Sequence, residues 1–349
     1  MGDTSQTNRE PLAAAPQDNG PDLRLEAIRR WLRQVLAADC ELRPASADAS
    51  FRRYFRVVSG GRTCIVMDAP PQQEDIRPYI EIARRLDALG LHVPKILEQD
   101  LDQGFLLITD LGERLYLREL NEHSVERLYG DALGALVTLQ AGSFIDPEFL
   151  PEYDRGRLLF ETELFREWYL GRHLGLVPTP AQRTRFDEAF ELLADAALEQ
   201  PRVWVHRDYH SRNLMVTPSN NPGILDFQGA VRGPVTYDLV SLLRDCYIAW
   251  PQTRVEEWAL GYHGLARQSG LPVCADEGMF LKWFDLMGVQ RHLKAIGIFA
   301  RLYHRDGKAG YLDDIPRTLG YAREVSGRYP ELRPLHELLC GLIPPETPP

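Results

Sequence analysis

The feature that most constrains the fold is a polar octet, residues 206–213, between two short apolar runs. The first run, 203–205, leads into the octet, and the second run, 223–225, is followed directly by Asp226. Short apolar runs bounded by turn-forming residues are typical of buried strands. The sequence therefore predicts two short strands whose following loops bring several polar side chains together.

The polar residues of these loops carry the groups that phosphoryl transfer needs. The octet fits the pattern H-x-D-x-x-x-x-N, which places Asp208 as a candidate base and Asn213 five residues later. Asp208 can accept the proton of a hydroxyl, while Asn213 and Asp226 offer oxygen ligands to Mg²⁺ on the phosphates of ATP. His206 is expected to brace the loop by hydrogen bonds, and Asp238 is expected to cap the start of its helix. We therefore predict ATP- and Mg²⁺-dependent phosphoryl transfer to an alcohol.

The hydrophobic pattern predicts an α+β, bilobal, protein-kinase-like fold. Residues 21–109 are expected to form a small β-rich N-terminal lobe that binds the nucleotide, and residues 110–349 a larger helical C-terminal lobe with the catalytic and substrate residues. The predicted strands are 51–58, 64–67, 92–97 and 105–108. The predicted helices are 22–39, 76–89, 123–142, 158–174, 181–199, 237–249, 254–269, 277–304 and 314–328. The polar residues 1–20 are expected to be a disordered tail.

Charge and composition argue against several classes of protein. A net charge of −10 disfavours a nucleic-acid partner, which binds best to a basic face. No segment reaches the roughly 20 apolar residues that cross a membrane, and the N-terminus lacks the apolar core of a signal peptide. The five scattered cysteines are expected to be free thiols. We therefore expect a cytoplasmic protein without a membrane partner, and a monomer.

The nucleotide side departs from the usual kinase pattern. The turn before the first strand pair contains no glycine, and Met67 stands where a lysine is expected. Arg52, Arg53 and Arg56 are the candidate replacements, because a guanidinium can bind phosphate through two parallel hydrogen bonds. Glu81, on the first-lobe helix, would face the missing lysine. The backbone from Thr109 to Leu111 is the candidate hinge that binds the adenine edge.

Several stretches of the chain resemble the aminoglycoside phosphotransferase family. They are V-H-R-D-Y-H-S-R-N-L-M-V, L-D-F-Q-G-A and Y-D-L-V-S-L-L-R-D-C-Y. A-D-A-S-F-R-R-Y-F-R, I-V-M-D-A-P-P and V-Q-R-H-L-K-A-I-G-I-F-A-R-L-Y-H-R-D-G-K resemble its branch of anomeric amino-sugar kinases. The resemblance implies phosphorylation of the anomeric hydroxyl of N-acetylmuramate and N-acetylglucosamine, in peptidoglycan recycling. It also implies Asp208 as base and Asn213 and Asp226 as metal ligands.

Three segments are candidate walls of the acceptor site. Gln228 follows closely after Asp226 in the chain, and Glu161 and Arg166 belong to a segment rich in aromatic residues. Arg291 and Lys294 lie in the third segment. Arg166, Arg291 and Lys294 are all candidates to pair with the lactyl carboxylate that distinguishes N-acetylmuramate, although a surface or packing charge is the favoured interpretation of each.

Two other functions stay open on the sequence alone. A protein kinase is disfavoured, because the short span after Asp226 leaves no room for an activation segment. Another small-molecule kinase of the same fold, acting on an aminoglycoside, choline or homoserine, is compatible with the motif. A non-catalytic nucleotide-binding pseudokinase has the missing lysine as its only support.

Overall fold

A computed structural model describes residues 22–47 and 51–343, so the predicted tail at 1–20 lies outside the described residues. The N-terminal part contains the strands β1 (Glu41–Ala47), β2 (Arg53–Ser59), β3 (Arg62–Asp68), β4 (Ile96–Asp100) and β5 (Phe105–Thr109). It also contains the helices α1 (Leu23–Leu36) and α2 (Arg77–Ala88). The strands form one antiparallel sheet in the order β1-β2-β3-β5-β4.

Alternation along the central strands places one helix on each face of this sheet. Val66 and Leu107 pack in a cluster with α1, whereas Met67 and Leu106 pack in the large core that includes α2. Successive side chains of a strand point to opposite faces, so each strand contributes to both clusters. The sheet is therefore covered on both sides, and its α2 face is continuous with the core of the helical lobe.

Glycines and prolines explain where the strand predictions succeeded and failed. The β2–β3 hairpin turns at Gly60 and Gly61, both with positive φ, as a two-residue hairpin turn requires. Strand β1 was not predicted, because Pro44 and its polar neighbours hide an edge strand, where proline is tolerated. The strand predicted at 92–97 begins only at Ile96.

The helical part agrees with most of the predicted helices. It contains α3 (Tyr116–Glu119), α4 (Val125–Ile145), α5 (Arg155–Leu164), α6 (Pro180–Leu198), α7 (Tyr237–Leu243), α8 (Gln252–Gln268), α9 (Glu277–Asp306), α10 (Ile315–Arg328) and α11 (Arg333–Leu342). Short 3₁₀ helices span Phe227–Gly229, Ala309–Asp314 and Pro330–Leu332. The helices α3 and α11 were not predicted, and α7 ends six residues before the predicted end at 249.

Two short antiparallel ribbons carry the loops of the octet and of Asp226. Strand β6 (Arg202–Val205) pairs with β9 (Val231–Pro234), and β7 (Leu214–Met215) pairs with β8 (Gly223–Ile224). The octet connects β6 to β7, and Asp226 lies just beyond β8. The pairing of these ribbons explains why residues distant in sequence meet in one place.

The helix predicted at 158–174 changes its hydrogen-bonding pattern halfway. Helix α5 ends at Leu164, and Phe165–His173 continues as a π-helix. Helix α9 crosses this junction with Gly297, where a Cβ atom would lie 2.3 Å from the carbonyl carbon of Leu164. No side chain fits at this distance, so the crossing requires glycine.

We expect Gly297→Ala to lower the free energy of unfolding by about 1–3 kcal/mol, because the added methyl group displaces backbone of the crossing segment. Gly261→Ala in α8 is the matched control, since a Cβ there meets no atom within 4 Å. That control should raise the free energy by about 0.5–1 kcal/mol through its helix propensity. Urea denaturation of both variants measures the difference, and equal effects would contradict the close crossing.

Candidate active site

A buried carboxylate fixes the backbone at the start of the octet. The two oxygens of Asp238 accept hydrogen bonds from the amides of His206 (2.6 Å) and Arg207 (2.9 Å). Arg207 has a φ of 78°, a left-handed conformation that is unfavourable for a residue with a large side chain. The two hydrogen bonds offset this strain and direct Asp208 into the site. The prediction that Asp238 caps its own helix is wrong, because its oxygens bond outside α7.

The buried imidazole of His206 ties the octet to the loop of Asp226. Its Nε2 donates to the carbonyl oxygen of Leu225 (2.9 Å), and its Nδ1 accepts from the amide of Asp208 (3.2 Å). This pair of contacts requires a neutral ring with its proton on Nε2. Burial lowers the pKa of His206 to about 4, which keeps the ring neutral at physiological pH.

Asp208 presents a carboxylate that is not occupied by hydrogen bonds from the described residues. Its backbone carbonyl, in contrast, accepts from the amide of His210 (3.0 Å) and from the side chain of Asn213 (3.0 Å). Burial opposes ionisation, but the charges of Lys294, His210 and Arg207 outweigh it and hold the pKa of Asp208 below its ordinary value. The site therefore offers an ionised carboxylate whose oxygens are not engaged by the described residues.

Asn213 and Asp226 converge on the neighbouring space. Asn213 Nδ2 lies 3.5 Å from Asp226 Oδ2, and Asp226 Oδ1 accepts from Gln228 Nε2. The described residues contain no group of three or more histidines, cysteines and carboxylates that could hold a metal. Mg²⁺ is commonly bound by one or two protein oxygens together with water and phosphate. The pair therefore fits Mg²⁺ better than a metal that needs a full protein cage.

Arg52 connects the sheet lobe to this space. Its side chain is 8% exposed, forms an ion pair with Glu74, and places Nη1 3.9 Å from Asp226 Oδ1. Glu74 lies just before α2, whereas the expected partner, Glu81, has a side chain that is 62% exposed and lies 3.9 Å from Arg85. The expectation for Glu81 is wrong, because α2 turns this residue away from the site.

Arg53 lies on the opposite side of its strand from Arg52. Its guanidinium pairs with Asp68 (2.6 Å) and with Asp22, which caps the N-terminus of α1. Adjacent residues of a strand point to opposite faces. The structure therefore brings Arg52 to the site and leaves Arg53 in the contact between the sheet and α1.

The predicted hinge lies where the sheet meets the helical part. Thr109 ends β5, and its hydroxyl oxygen accepts from the amide of Lys95 (2.9 Å). The side chain of Leu111 lies against Gly223 of β8, where a Cβ atom would be only 2.9 Å from Leu111 Cδ1. Part of the turn before β2, residues 48–50, lies outside the described residues.

Glu161 lies in a buried charge cluster behind the octet. Its Oε2 is 3.1 Å from Lys294 Nζ, and its carboxylate also accepts hydrogen bonds from Tyr153 and Arg207. Burial opposes ionisation, but the positive charges of Lys294 and Arg207 keep its pKa below the ordinary value. Lys294 also donates to Tyr237 Oη (2.8 Å). Since its oxygens are occupied within this cluster, the structure does not support the predicted role of Glu161 as a sugar ligand.

The two arginines predicted for the acceptor side have different surroundings. Arg166 pairs with Glu163 and, at 2.7 Å, with Asp187 on α6, so the structure does not bring it to Asp208. Arg291 is buried on α9, where its Nη1 lies 3.7 Å from Cys246 Sγ. Of these two, only Arg291 lies next to the loop that follows α7.

The sequence reading missed Asp245, which supports the octet from the other side. Its carboxylate accepts hydrogen bonds from the amides of Ser211 (2.8 Å) and Tyr247 (2.9 Å). These bonds draw the chain out of the helix predicted to continue to 249. The available signal was the spacing: Asp245 follows Asp238 by seven residues, which is two helical turns and one face.

The two-lobed fold and this constellation define a kinase-like phosphotransferase. The chain belongs to the phosphotransferase enzyme family, abbreviated APH, whose pattern matches residues 41–275. The resemblance found in the sequence is therefore confirmed.

Proteins with similar sequences carry a more specific name. The chain is 48% identical to the N-acetylmuramate/N-acetylglucosamine kinase of Pseudomonas putida, over 92% of this chain and 97% of that protein. It is 47% identical to the protein of the same name from Pseudomonas aeruginosa, with the same coverage. The structure of aminoglycoside phosphotransferase APH(2'')-Ib with ADP bound is 16% identical, with a TM-score of 0.58 over 87% of this chain and 99% of that one. This likeness confirms the kinase-like fold.

None of the helices in 22–47 and 51–343 has the length and apolar character to span a membrane.

We expect the contribution of His206 to stability to fall as the pH decreases from about 6.5 to about 4, because burial lowers the pKa of this histidine. The unfolded chain binds the proton first, so stability is complete above the unfolded pKa and is lost towards the folded one. The contribution is on the order of 3 kcal/mol. Urea denaturation at several pH values measures it.

His206→Gln is the matched control for this pH dependence. Its amide can donate to Leu225 and accept from Asp208 but does not titrate. The two proteins should differ by the contribution of His206 alone. His292, with a pKa lowered by burial to about 3, and Asp238, with a pKa raised by burial to about 7, contribute to the pH dependence of both. If the free energy of unfolding depended on pH in this variant as it does in the unmodified protein, His206 could not be the titrating group.

Proposed function

We propose that the protein is an ATP-dependent kinase that phosphorylates the anomeric hydroxyl of N-acetylmuramate and N-acetylglucosamine. The observation that carries the proposal is the unoccupied, ionised carboxylate of Asp208 beside the Asn213–Asp226 pair, in a chain nearly half identical to kinases of that name. The sugar 1-phosphate would feed the synthesis of nucleotide sugars, which is the role expected in peptidoglycan recycling.

In this proposal Asp208 orients the acceptor hydroxyl and accepts its proton. The anomeric hydroxyl is more acidic than an ordinary alcohol, so a carboxylate of low pKa is an adequate base. The transition state of phosphoryl transfer is loose, and positioning matters more than base strength. The hydrogen bonds from Asp238 and His206 supply that positioning.

Asn213 and Asp226 would hold Mg²⁺, which neutralises charge on the nucleotide phosphates. Arg52 would replace the missing lysine on those phosphates. Its ion pair with Glu74 and its 3.9 Å approach to Asp226 support this role, since both hold the guanidinium at the lobe junction. The guanidinium has five N–H donors, so it can bind phosphate oxygens while keeping Glu74.

The charges near Asp208 favour this acceptor over the alternatives. Lys294 and Arg207 lie close enough to lower the pKa of Asp208, and Arg291 is buried nearby. Glu161 compensates Lys294 and Arg207, whereas Arg291 has no carboxylate partner among the described residues, so a cationic aminoglycoside or choline would meet an uncompensated positive charge there. A neutral or anionic sugar fits these surroundings better.

The proposal is tested by a phosphate-transfer assay with ATP, Mg²⁺ and a panel of acceptors. We expect turnover of N-acetylmuramate and N-acetylglucosamine and much less of glucose, kanamycin or choline, with NMR locating the phosphate on C1. Asp208→Asn is the control for contaminating kinases and should lower kcat by about 10²-fold or more. Absence of turnover of both N-acetyl sugars by the unmodified protein would reject the proposal.

We expect Arg52→Met to raise KM for ATP by about tenfold or more, because a buried phosphate contact is lost. Arg53→Met is the matched control, since its guanidinium is held by Asp22 and Asp68 away from the site. Initial rates at varied ATP measure both variants. Equal nucleotide kinetics in the two variants would exclude Arg52 as the replacement for lysine.

A further inference from the structure

Arg291 is a buried cation without a carboxylate partner among the described residues. Its side chain lies on α9 with 6% exposure. Its Nη1 contacts only the sulfur of Cys246, at 3.7 Å, and its Nε is buried without any hydrogen-bond acceptor. Burying an unpaired charge is costly, so an arginine in this state calls for an explanation.

The other buried arginine and lysine side chains of the described residues have carboxylate partners. Arg244 pairs with Asp285 at 2.6 Å, and Lys294 pairs with Glu161 at 3.1 Å. Arg52 is held by Glu74, as described above. The described part of the chain therefore accommodates its other buried arginines and lysine by pairing them, and Arg291 departs from this rule.

Arg291 also lies near the octet, because its partner Cys246 follows Asp245, whose carboxylate accepts from the amide of Ser211. Arg291 precedes Lys294 by three residues, so the two side chains share one face of α9, and Lys294 is the strongest positive influence on Asp208. Burial opposes the charge of Arg291, but Cys246, Tyr237 and Asp208 outweigh it and raise the pKa of the guanidinium. A sugar whose anomeric hydroxyl meets Asp208 would present its other substituents to this face.

We propose that Arg291 binds the lactyl carboxylate of N-acetylmuramate and gives the enzyme its affinity for the acidic sugar. This inference rests on the proposed function. A carboxylate fits the planar guanidinium through two parallel hydrogen bonds and removes the cost of the unpaired charge. N-acetylglucosamine lacks the lactyl group and leaves Arg291 as it is in the structure. Arg166 and Lys294, the other candidates from the sequence, already have carboxylate partners.

Two substrates that differ in the charge of the lactyl group test the inference without altering the protein. The methyl ester of N-acetylmuramate keeps the bulk of the lactyl group and removes its charge. We expect kcat/KM of the unmodified enzyme to be on the order of 10²-fold lower for the ester than for the acid. Equal values for ester and acid would overturn the proposal.

Arg291→Met completes the comparison, because its side chain fills a similar volume without charge. The variant should lose on the order of 10²-fold in kcat/KM for N-acetylmuramate, mainly through KM, and stay within a few-fold for N-acetylglucosamine. The difference in kcat/KM between acid and ester should then vanish, because the variant lacks the positive charge that distinguishes the two substrates. Arg291→Lys should restore part of the preference, and Arg166→Met should leave it unchanged.

The outcomes separate this inference from the proposed function. Equal losses on both sugars would mean that Arg291 serves the phosphoryl group or the fold, and would overturn the lactyl assignment. Turnover of both sugars with an unchanged preference in Arg291→Met would overturn the assignment while the kinase stands. Turnover of neither sugar by the unmodified enzyme would reject the kinase and the assignment together.

Discussion

The carboxylate of Asp238 is the constraint on which the geometry of the site depends. Its two hydrogen bonds hold the amides of His206 and Arg207 and keep Arg207 in a left-handed conformation. Without them the octet would relax to an ordinary backbone, and Asp208 would point elsewhere. The phosphoryl-transfer geometry therefore originates in a residue thirty positions further along the chain that contacts no proposed substrate.

A cluster of buried charged side chains lies next to the backbone that Asp238 holds. Glu161 compensates Arg207 and Lys294, which allows two cations to be buried close to Asp208. Their charge keeps the proposed base ionised although burial opposes it. The cluster also sets the sign of the field that an acceptor meets. Stability and substrate preference are therefore linked through the same buried ion pairs.

The sequence sufficed for the fold and for the residues whose chemistry follows from local spacing. Asp208, Asn213 and Asp226 could be identified because a short motif and two strands define their positions. Glu161 was misjudged because its partners, Arg207 and Lys294, are 46 and 133 residues away and no local pattern links them. Glu74 was missed in favour of Glu81 because helical periodicity gives the faces of α2 but not its orientation to the sheet.

The arginine at the lobe junction has a chemical consequence beyond phosphate binding. The chain contains only four lysines, and the one in the sheet lobe, Lys95, is exposed and pairs with Asp87. An arginine stays protonated and is not a nucleophile at physiological pH. Acyl-phosphate analogues of ATP, which label kinases by acylating an amine next to the phosphates, would find no such amine at Arg52. A covalent inhibitor for this enzyme would have to be designed for a guanidinium, or for another residue altogether.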